Sequence, residues 1–128
     1  MNEKAMLEYL TEKYPDLEKS PNDTDGYDCM SVVSKLYMEL KSRRTHYDTL
    51  ILEQKKYEFL ISKAKQLGFK PLYINWTPKG MWCFELDSNP NSYIWEEQWL
   101  PASTDFARKS KITKSVTLLD IKKGKKIL

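Results

Sequence analysis

The pattern of hydrophobic and polar positions divides the chain into two helical segments and several short strands. Apolar residues recur three and four positions apart over residues 3–14 and again over 53–67, the spacing of a helix with one buried face. Pro15 and Gly68 follow these two segments, and both residue types commonly terminate helices. We therefore predict two amphipathic helices.

Short apolar or alternating segments bounded by turn-forming residues predict the strands. After a loop at 15–26, they are residues 27–33, 35–41, 49–52, 72–75, 81–86, 93–95 and 115–121. The first three are expected to form an antiparallel meander, and the strand, helix, strand order around the second helix implies a parallel crossover. Residues 96–114 are expected to be irregular. The predicted fold class is α/β, with helices packed on a mixed sheet.

Composition narrows the class of protein. A chain of 128 residues that is 41% hydrophobic has the size and apolar content of one folded domain. No apolar run approaches the roughly 20 residues that span a membrane, and no signal peptide is evident, so we expect a cytoplasmic protein with no membrane partner. Cys29 and Cys83 lie in apolar blocks and His46 is the single histidine, which favours buried free thiols over a zinc site.

The net charge of +3 conceals an asymmetry. Residues 106–128 contain eight Lys or Arg against one Asp, whereas residues 1–105 contain 13 Lys or Arg against 17 Asp or Glu. A basic tail suits a polyanion, and the acidic body could include carboxylates that bind metal. A solvated C-terminal surface explains the tail equally well.

Two acids and a lysine are the main candidates for chemistry. Side chains alternate along a strand, so Glu39 and Lys41 share one face while Leu40 lies on the other. If Asp28 lies on the neighbouring strand of a hairpin, two carboxylates and an ammonium group converge. Such a group suits metal-dependent phosphodiester cleavage. An exposed cross-strand ion pair is the alternative.

In the cleavage hypothesis, Asp28 and Glu39 hold one or two Mg²⁺ ions with help from the Leu40 carbonyl oxygen. Lys41 orients the attacking water or neutralises the developing oxyanion. Glu3 lies on the apolar stripe of the first helix and could point toward the same site. Alternatively, Glu3 only interacts favourably with the helix dipole.

Other side chains could contact nucleic acid, with ordinary solvated positions as the alternative for each. The candidates are Arg43, Arg44, Gln54, Lys55, Lys56 and Lys70. Gln54, at the start of the second helix, could also face the site of the two acids. Four tryptophans could stack on bases or form a dimer interface, but core packing is the favoured interpretation. They are Trp76, Trp82, Trp95 and Trp99.

The order of these features resembles the PD-(D/E)XK nuclease superfamily, whose core is an αβββαβ arrangement, and most of all its archaeal Holliday-junction resolvase branch. In that branch a first-helix Glu is followed by apolar residues at +3, +4 and +7, as Glu3 is here. Residues 68–72 and 82–84 also look similar. The likeness covers about residues 3–86 and leaves 87–128 as a C-terminal extension. Tyr27 stands where a Pro often precedes the first catalytic Asp.

The resemblance implies a single restriction-endonuclease-like domain over residues 1–128 that cuts DNA with Mg²⁺ or Mn²⁺. It implies that Asp28 and Glu39 are metal ligands, Lys41 the catalytic lysine and Glu3 an accessory acid. We expect cleavage of junction or branched DNA in replication or recombination, in a bacterial cell infected by a phage, with a homodimer as one assembly. The alternative is a non-catalytic module that binds nucleic acid or protein on the same fold.

Overall fold

Two helices flank the sheet, as their apolar stripes predict. The computed structural model describes residues 2–21, 26–101 and 111–128. Helix α1 spans Glu3–Lys13, and the Asn2 side chain caps it by accepting a hydrogen bond from the Ala5 backbone N–H at 2.9 Å. Helix α2 spans Gln54–Leu67 and ends at Gly68, whose φ of 72° is the left-handed conformation that glycine adopts readily.

Six strands form the larger sheet, in the order β1-β2-β3-β5-β6-β9. They are β1 Glu18–Lys19, β2 Tyr27–Ser31, β3 Leu36–Ser42, β5 Lys70–Thr77, β6 Gly80–Glu85 and β9 Lys125–Lys126. Strands β3 and β5 are parallel and α2 connects them, whereas the other neighbouring pairs are antiparallel. The β2–β3 hairpin is therefore confirmed, and α2 is a crossover helix as predicted, but the strand parallel to β5 is β3 and not residues 49–52, which directly precede α2.

A second sheet has the order β4-β8-β7 and is antiparallel. Its strands are β4 Thr49–Glu53, β7 Glu96–Pro101 and β8 Lys111–Asp120. The predicted three-stranded meander is wrong in its last member, because β4 pairs with β8 and not with β3. The reason is that β2 and β5 occupy both edges of β3, so no edge remains for β4.

Three predictions for the C-terminal third need correction. Residues 93–95 are not a strand. Their apolar side chains serve the core instead, since the Tyr93 and Trp95 rings pack against Tyr57 at centroid distances of 5.3 and 5.2 Å. Strand β7 and the first four residues of β8 lie within residues 96–114, for which the sequence predicts irregular structure, and residues 102–110 lie outside the described part of the chain. Finally, β8 ends at Asp120, whose side chain caps a short 3₁₀ turn by accepting a hydrogen bond from the Lys122 N–H.

Both faces of the larger sheet are buried. On one face α1 contributes Met6 and Leu10 to a cluster with Met38, Leu40 and Ile74. On the other face the side chains of α2 and β4 pack against the sheet, and the residues of this cluster include Tyr37, Leu50, Leu52, Tyr57, Leu60, Ala64 and Tyr73. Because side chains alternate along β3, Glu39 lies on the face covered by α2.

In the described part of the chain, no helix is long and apolar enough to cross a membrane. Both cysteines are free, with Cys29 buried and Cys83 partly buried. Of the tryptophans, Trp76, Trp82 and Trp95 pack against the two core clusters, as predicted. Trp99 differs, because 65% of its surface is exposed.

Candidate active site

The two predicted acids lie side by side across the β2–β3 hairpin. Asp28 and Glu39 are direct cross-strand partners, and both are buried, at 8% and 3% exposure. Directly opposed residues of an antiparallel pair have their Cβ atoms about 5 Å apart and point to the same face. An exposed ion pair therefore does not describe these residues, and their burial requires another explanation.

The Tyr37 hydroxyl holds one of these acids in place. It donates a hydrogen bond to Asp28 Oδ2 at 2.9 Å and lies 3.5 Å from the Ser20 hydroxyl. Tyr37 is fully buried two residues before Glu39, so both side chains point to the same face of β3. Sequence reasoning missed Tyr37, although this spacing could have identified it as a neighbour of the acids.

Electrostatics at the acid pair favour an added cation. The pKa of Glu39 is raised to about 8, chiefly by burial and next by the hydrogen bond between the Glu39 and Asp28 carboxyl groups, while Lys56 opposes the shift. Two adjacent buried carboxyl groups cannot both ionise easily, so one retains a proton near neutral pH. A bound cation would remove that obstacle and let both ionise.

Lys56 is the one cation that directly contacts the acid pair among the described ion pairs. Its Nζ lies 3.2 Å from Glu39 Oε1. Burial lowers the pKa of Lys56, but the charge of Glu39 and its hydrogen bond outweigh that effect, so the pKa is raised overall. Sequence reasoning had placed Lys56 only among residues that contact phosphates, and the structure adds a role inside the site.

The orientation of α2 explains why Lys56, and not Gln54, reaches the acids. Each residue turns a helix by roughly 100°, so positions 54 and 56 point in nearly opposite directions. Gln54 faces β8, where its Oε1 accepts a hydrogen bond from the Ser115 hydroxyl at 2.6 Å. Lys55 lies exposed on the helix surface. Of these first-turn residues, only Lys56 points into the acid site.

A cavity of about 270 Å³ opens beside the acids, and we call it the acid cavity. The predicted site residues Glu3, Glu39, Leu40 and Lys41 line it together with Gly26, Tyr27 and Lys56. Burial lowers the pKa of Lys41, and the nearby charges of Arg43 and Lys56 lower it further, whereas Glu3 and Glu39 act in the opposite direction. A lysine with a lowered pKa can exchange a proton closer to neutral pH than an ordinary lysine.

Gly26 allows the chain to pass close above Glu39. A Cβ atom placed on Gly26 would lie 2.7 Å from Oε1 and 2.9 Å from Oε2 of Glu39. These distances are shorter than van der Waals contact, so a larger residue would displace the carboxylate. Glycine at this position keeps one side of the Glu39 carboxylate open.

Arg43 is bound within the protein. Its Nε donates to Asn75 Oδ1 at 3.0 Å, and its Nη2 donates to the Ile51 carbonyl and the Tyr73 hydroxyl at 2.7 and 2.9 Å. These bonds link the end of β3 to β4 and β5 next to Lys41. Arg44 is exposed on the adjoining loop. Of the two arginines, Arg44 is therefore the better placed to meet a ligand.

The donor set at this site suits a hard divalent cation. Within the described residues, no group of three or more His, Cys, Asp or Glu side chains could hold a metal ion. Mg²⁺ needs less than that, because it usually retains several waters and binds one or two carboxylates together with substrate phosphates. Asp28 and Glu39 supply two carboxylates, and the pKa of Glu39 is raised, chiefly by burial, even with Lys56 beside it. The residues present therefore fit such an ion.

The fold is restriction-endonuclease-like, and a comparison with solved structures shows the same class. The chain is similar to the Hjc Holliday junction resolvase of the archaeal hyperthermophile Archaeoglobus fulgidus, with a TM-score of 0.58. The match covers 98% of this chain and 93% of the resolvase at 15% identity. The structural likeness thus continues beyond residue 86, where the sequence resemblance ended. No protein-family model and no curated protein matches the sequence.

Proposed function

We propose that this protein is a metal-dependent endonuclease that hydrolyses DNA phosphodiester bonds. The observation that carries the proposal is the buried Asp28–Glu39 pair next to a cavity lined by Glu3, Lys41 and Lys56. Burying two carboxyl groups side by side is unfavourable for folding, and such groups cluster at functional sites. The fold of a nuclease supports the same conclusion.

In this proposal Asp28 and Glu39, with the Leu40 carbonyl oxygen, hold Mg²⁺ or Mn²⁺. When bound, the ion supplies a Lewis acid for a phosphoryl oxygen and lowers the pKa of a water molecule. Tyr37 fixes the Asp28 carboxylate from behind through its hydroxyl. Lys56 is a positioning residue that keeps Glu39 oriented toward the cavity through their 3.2 Å contact.

Lys41 is the proposed catalytic lysine. It shares the face of β3 with Glu39 and lines the same cavity. From there its ammonium group can donate hydrogen bonds to the attacking water or to the phosphate oxygen on which negative charge develops. Glu3 enters the cavity from α1, and its negative charge favours the protonated form of Lys41. Glu3 is thus an accessory acid that keeps Lys41 charged.

The proposed substrate is DNA, with a preference for junctions or branches. Arg44 and Lys55 are exposed on the loop and helix that border the site, where they can contact phosphates. The preference for junctions rests on the resolvase that shares the fold. A homodimer would place two such sites on two strands of one junction.

The test is cleavage of supercoiled plasmid, single strands and a four-way junction in Mg²⁺, Mn²⁺ or EDTA. We expect the wild type to cut in either metal but not in EDTA. Glu39→Ala and Lys41→Ala should each lose about 100-fold or more of that activity, while DNA binding persists. Glu58→Gln removes an exposed acid from α2 and is the matched control, which should cut like the wild type.

Two results would contradict the proposal. Cleavage that persists in EDTA or in Glu39→Ala would remove the acid pair from the mechanism. DNA binding without cleavage of any substrate would identify a non-catalytic nucleic-acid-binding module on this fold.

A further inference from the structure

A second cavity, which shares no lining residue with the acid cavity, lies where β3 and β5 end and the chain turns into β6. It has a volume of about 370 Å³, and we call it the lysine cavity. Lys79 and Lys126 line it, and Trp76 and Pro78 form an apolar part of its wall. Ser42, the last residue of β3, and Arg43, which follows it, also line this cavity, so it borders the end of the strand that carries Lys41.

The lysine cavity is cationic. Three of its lining residues are Arg or Lys, and no acidic side chain occurs among the described residues that line it. Arg43 directs Nε and Nη2 into the protein, so Lys79 and Lys126 are the exposed cations of the cavity. A concave surface with charge of one sign raises the local concentration of ligands with the opposite charge.

Strand pairing joins the lysine cavity to the proposed catalytic lysine. Lys41 pairs with Asn75, Asn75 with Trp82, and Trp82 with Lys126, so these four residues form one row across four strands. Neighbouring strands lie about 4.8 Å apart, and three such steps place Lys126 roughly 14 Å from Lys41. The two lysines therefore have a defined separation along one row of the sheet.

Close contacts hold Lys126 at the rim of the lysine cavity. Gly80 has a φ of 145°, and a Cβ atom there would collide with the Leu128 carbonyl oxygen and lie 2.8 Å from Lys126 Cε. Only glycine permits the last strand to approach so closely. The Lys126 ammonium group also lies 5.4 Å from the centroid of the Trp82 ring, a cation–π contact.

We propose that the lysine cavity binds backbone phosphates of the nucleic-acid strand that passes through the acid cavity. This inference rests on the proposed nuclease function and adds a substrate subsite to it. One strand of DNA carries a phosphate for about every 3.4 Å along the axis, and a separation of roughly 14 Å is several times that rise, so Lys41 and Lys126 would contact different phosphates of the strand. Lys79 and Lys126 would then fix the register of the strand relative to Lys41.

The test compares the double variant Lys79→Gln/Lys126→Gln with the wild type. Lys35→Gln/Lys65→Gln is the matched control, because it removes two exposed lysines at the opposite end of β3 and α2. Binding of labelled single-stranded, duplex and junction DNA is measured in EDTA at several salt concentrations. Thermal melting of each variant confirms that it folds.

The double variant should bind DNA at least about tenfold more weakly at low salt, and on duplex its log–log salt slope should fall by about two, one for each lost phosphate contact. The control should change affinity by about twofold or less, because exposed distant charges are screened. Equal losses in both variants would overturn the subsite.

Further measurements distinguish DNA phosphates from free phosphate as the ligand, and distinguish failure of the subsite from failure of the nuclease proposal. Inorganic phosphate, added at constant ionic strength, should not displace DNA from the wild type. If phosphate displaced DNA from the wild type but not from the double variant, the lysine cavity would be a site for free phosphate, and the inference would be overturned. If the wild type cuts DNA and the double variant binds DNA as tightly as the control variant does, only the subsite is refuted. Wild-type protein that neither binds nor cuts DNA refutes the nuclease proposal as well.

Discussion

At the scale of single residues, Glu39 should make the stability of the metal-free protein depend on pH. Its pKa is raised to about 8 in the folded state, chiefly by burial, from an ordinary value of 4.5. Between these values the folded protein binds more protons than the unfolded chain, so stability falls as pH rises and levels off above the folded pKa. One proton changes the free energy of unfolding by at most about 1.4 kcal/mol per pH unit.

Urea unfolding in EDTA from pH 5 to pH 8.5 measures this effect. The wild type should lose stability across the range, whereas Glu39→Gln should lack that part of the pH dependence because it cannot ionise. Identical slopes for the two proteins would show that Glu39 ionises normally. Added Mg²⁺ should flatten the wild-type slope, since a bound cation favours the ionised carboxylate.

Tyr37 provides a second prediction at this scale. Tyr37→Phe removes the hydroxyl that donates to Asp28, leaving a buried carboxyl oxygen with one partner fewer. Such a loss lowers the free energy of unfolding by about 1–3 kcal/mol. Tyr47→Phe is the control, because Tyr47 is 63% exposed and its hydroxyl can hydrogen-bond to water. Chemical denaturation measures the free energy of unfolding of both variants. Equal values for the two variants would exclude the proposed support of Asp28 by the Tyr37 hydroxyl.

At the scale of elements, local sequence patterns predicted the individual helices and strands better than the pairing between strands. The β2–β3 hairpin, the crossover helix and the spacing of Glu39 and Lys41 depend on neighbouring residues and are visible in the sequence. The pairing of β4 with β8 depends on residues far apart in the chain, and the hydrophobic periodicity of the sequence does not indicate it. The same limit explains Lys56, whose role depends on how α2 is rotated against the sheet.

Two glycines at the ends of elements allow site effects and folding effects to be separated. Gly26→Ala should displace the Glu39 carboxylate, which lies 2.7 Å from the added Cβ, and lower both Mn²⁺ affinity and cleavage by about tenfold or more. Gly68→Ala meets no atom within 4 Å but forces alanine into a φ of 72°. It should destabilise the protein by about 1 kcal/mol and leave metal affinity unchanged.

Calorimetric titration with Mn²⁺ and thermal melting distinguish the two variants. The opposite pattern, with Gly68→Ala losing metal affinity and Gly26→Ala retaining it, would mean that Gly26 does not shape the site.

At the scale of the whole molecule, the basic C-terminal segment belongs to both sheets. Strand β8 pairs with β4 and β9 pairs with β6, and β8 contributes the buried residues Val116 and Leu119. The sequence resemblance alone suggested a core that ends near residue 86. The pairing instead indicates that residues after 110 complete the packing over Leu50 and Leu52, which belong to the same core as Tyr37.

A fragment of residues 1–101 should therefore fail to fold cooperatively. Without β8, strand β4 loses its described partner and the apolar side chains of β4 become exposed to water, which removes stabilisation of about 25 cal/mol for each Å² exposed. A fragment of residues 1–124 keeps β8, lacks only β9 and the last residues, and serves as the control. Calorimetry should give a cooperative transition at a lowered midpoint for 1–124 and none for 1–101. A sharp transition in the shorter fragment would instead establish that residues 1–101 form an independently folding core, with the basic segment as an addition to it.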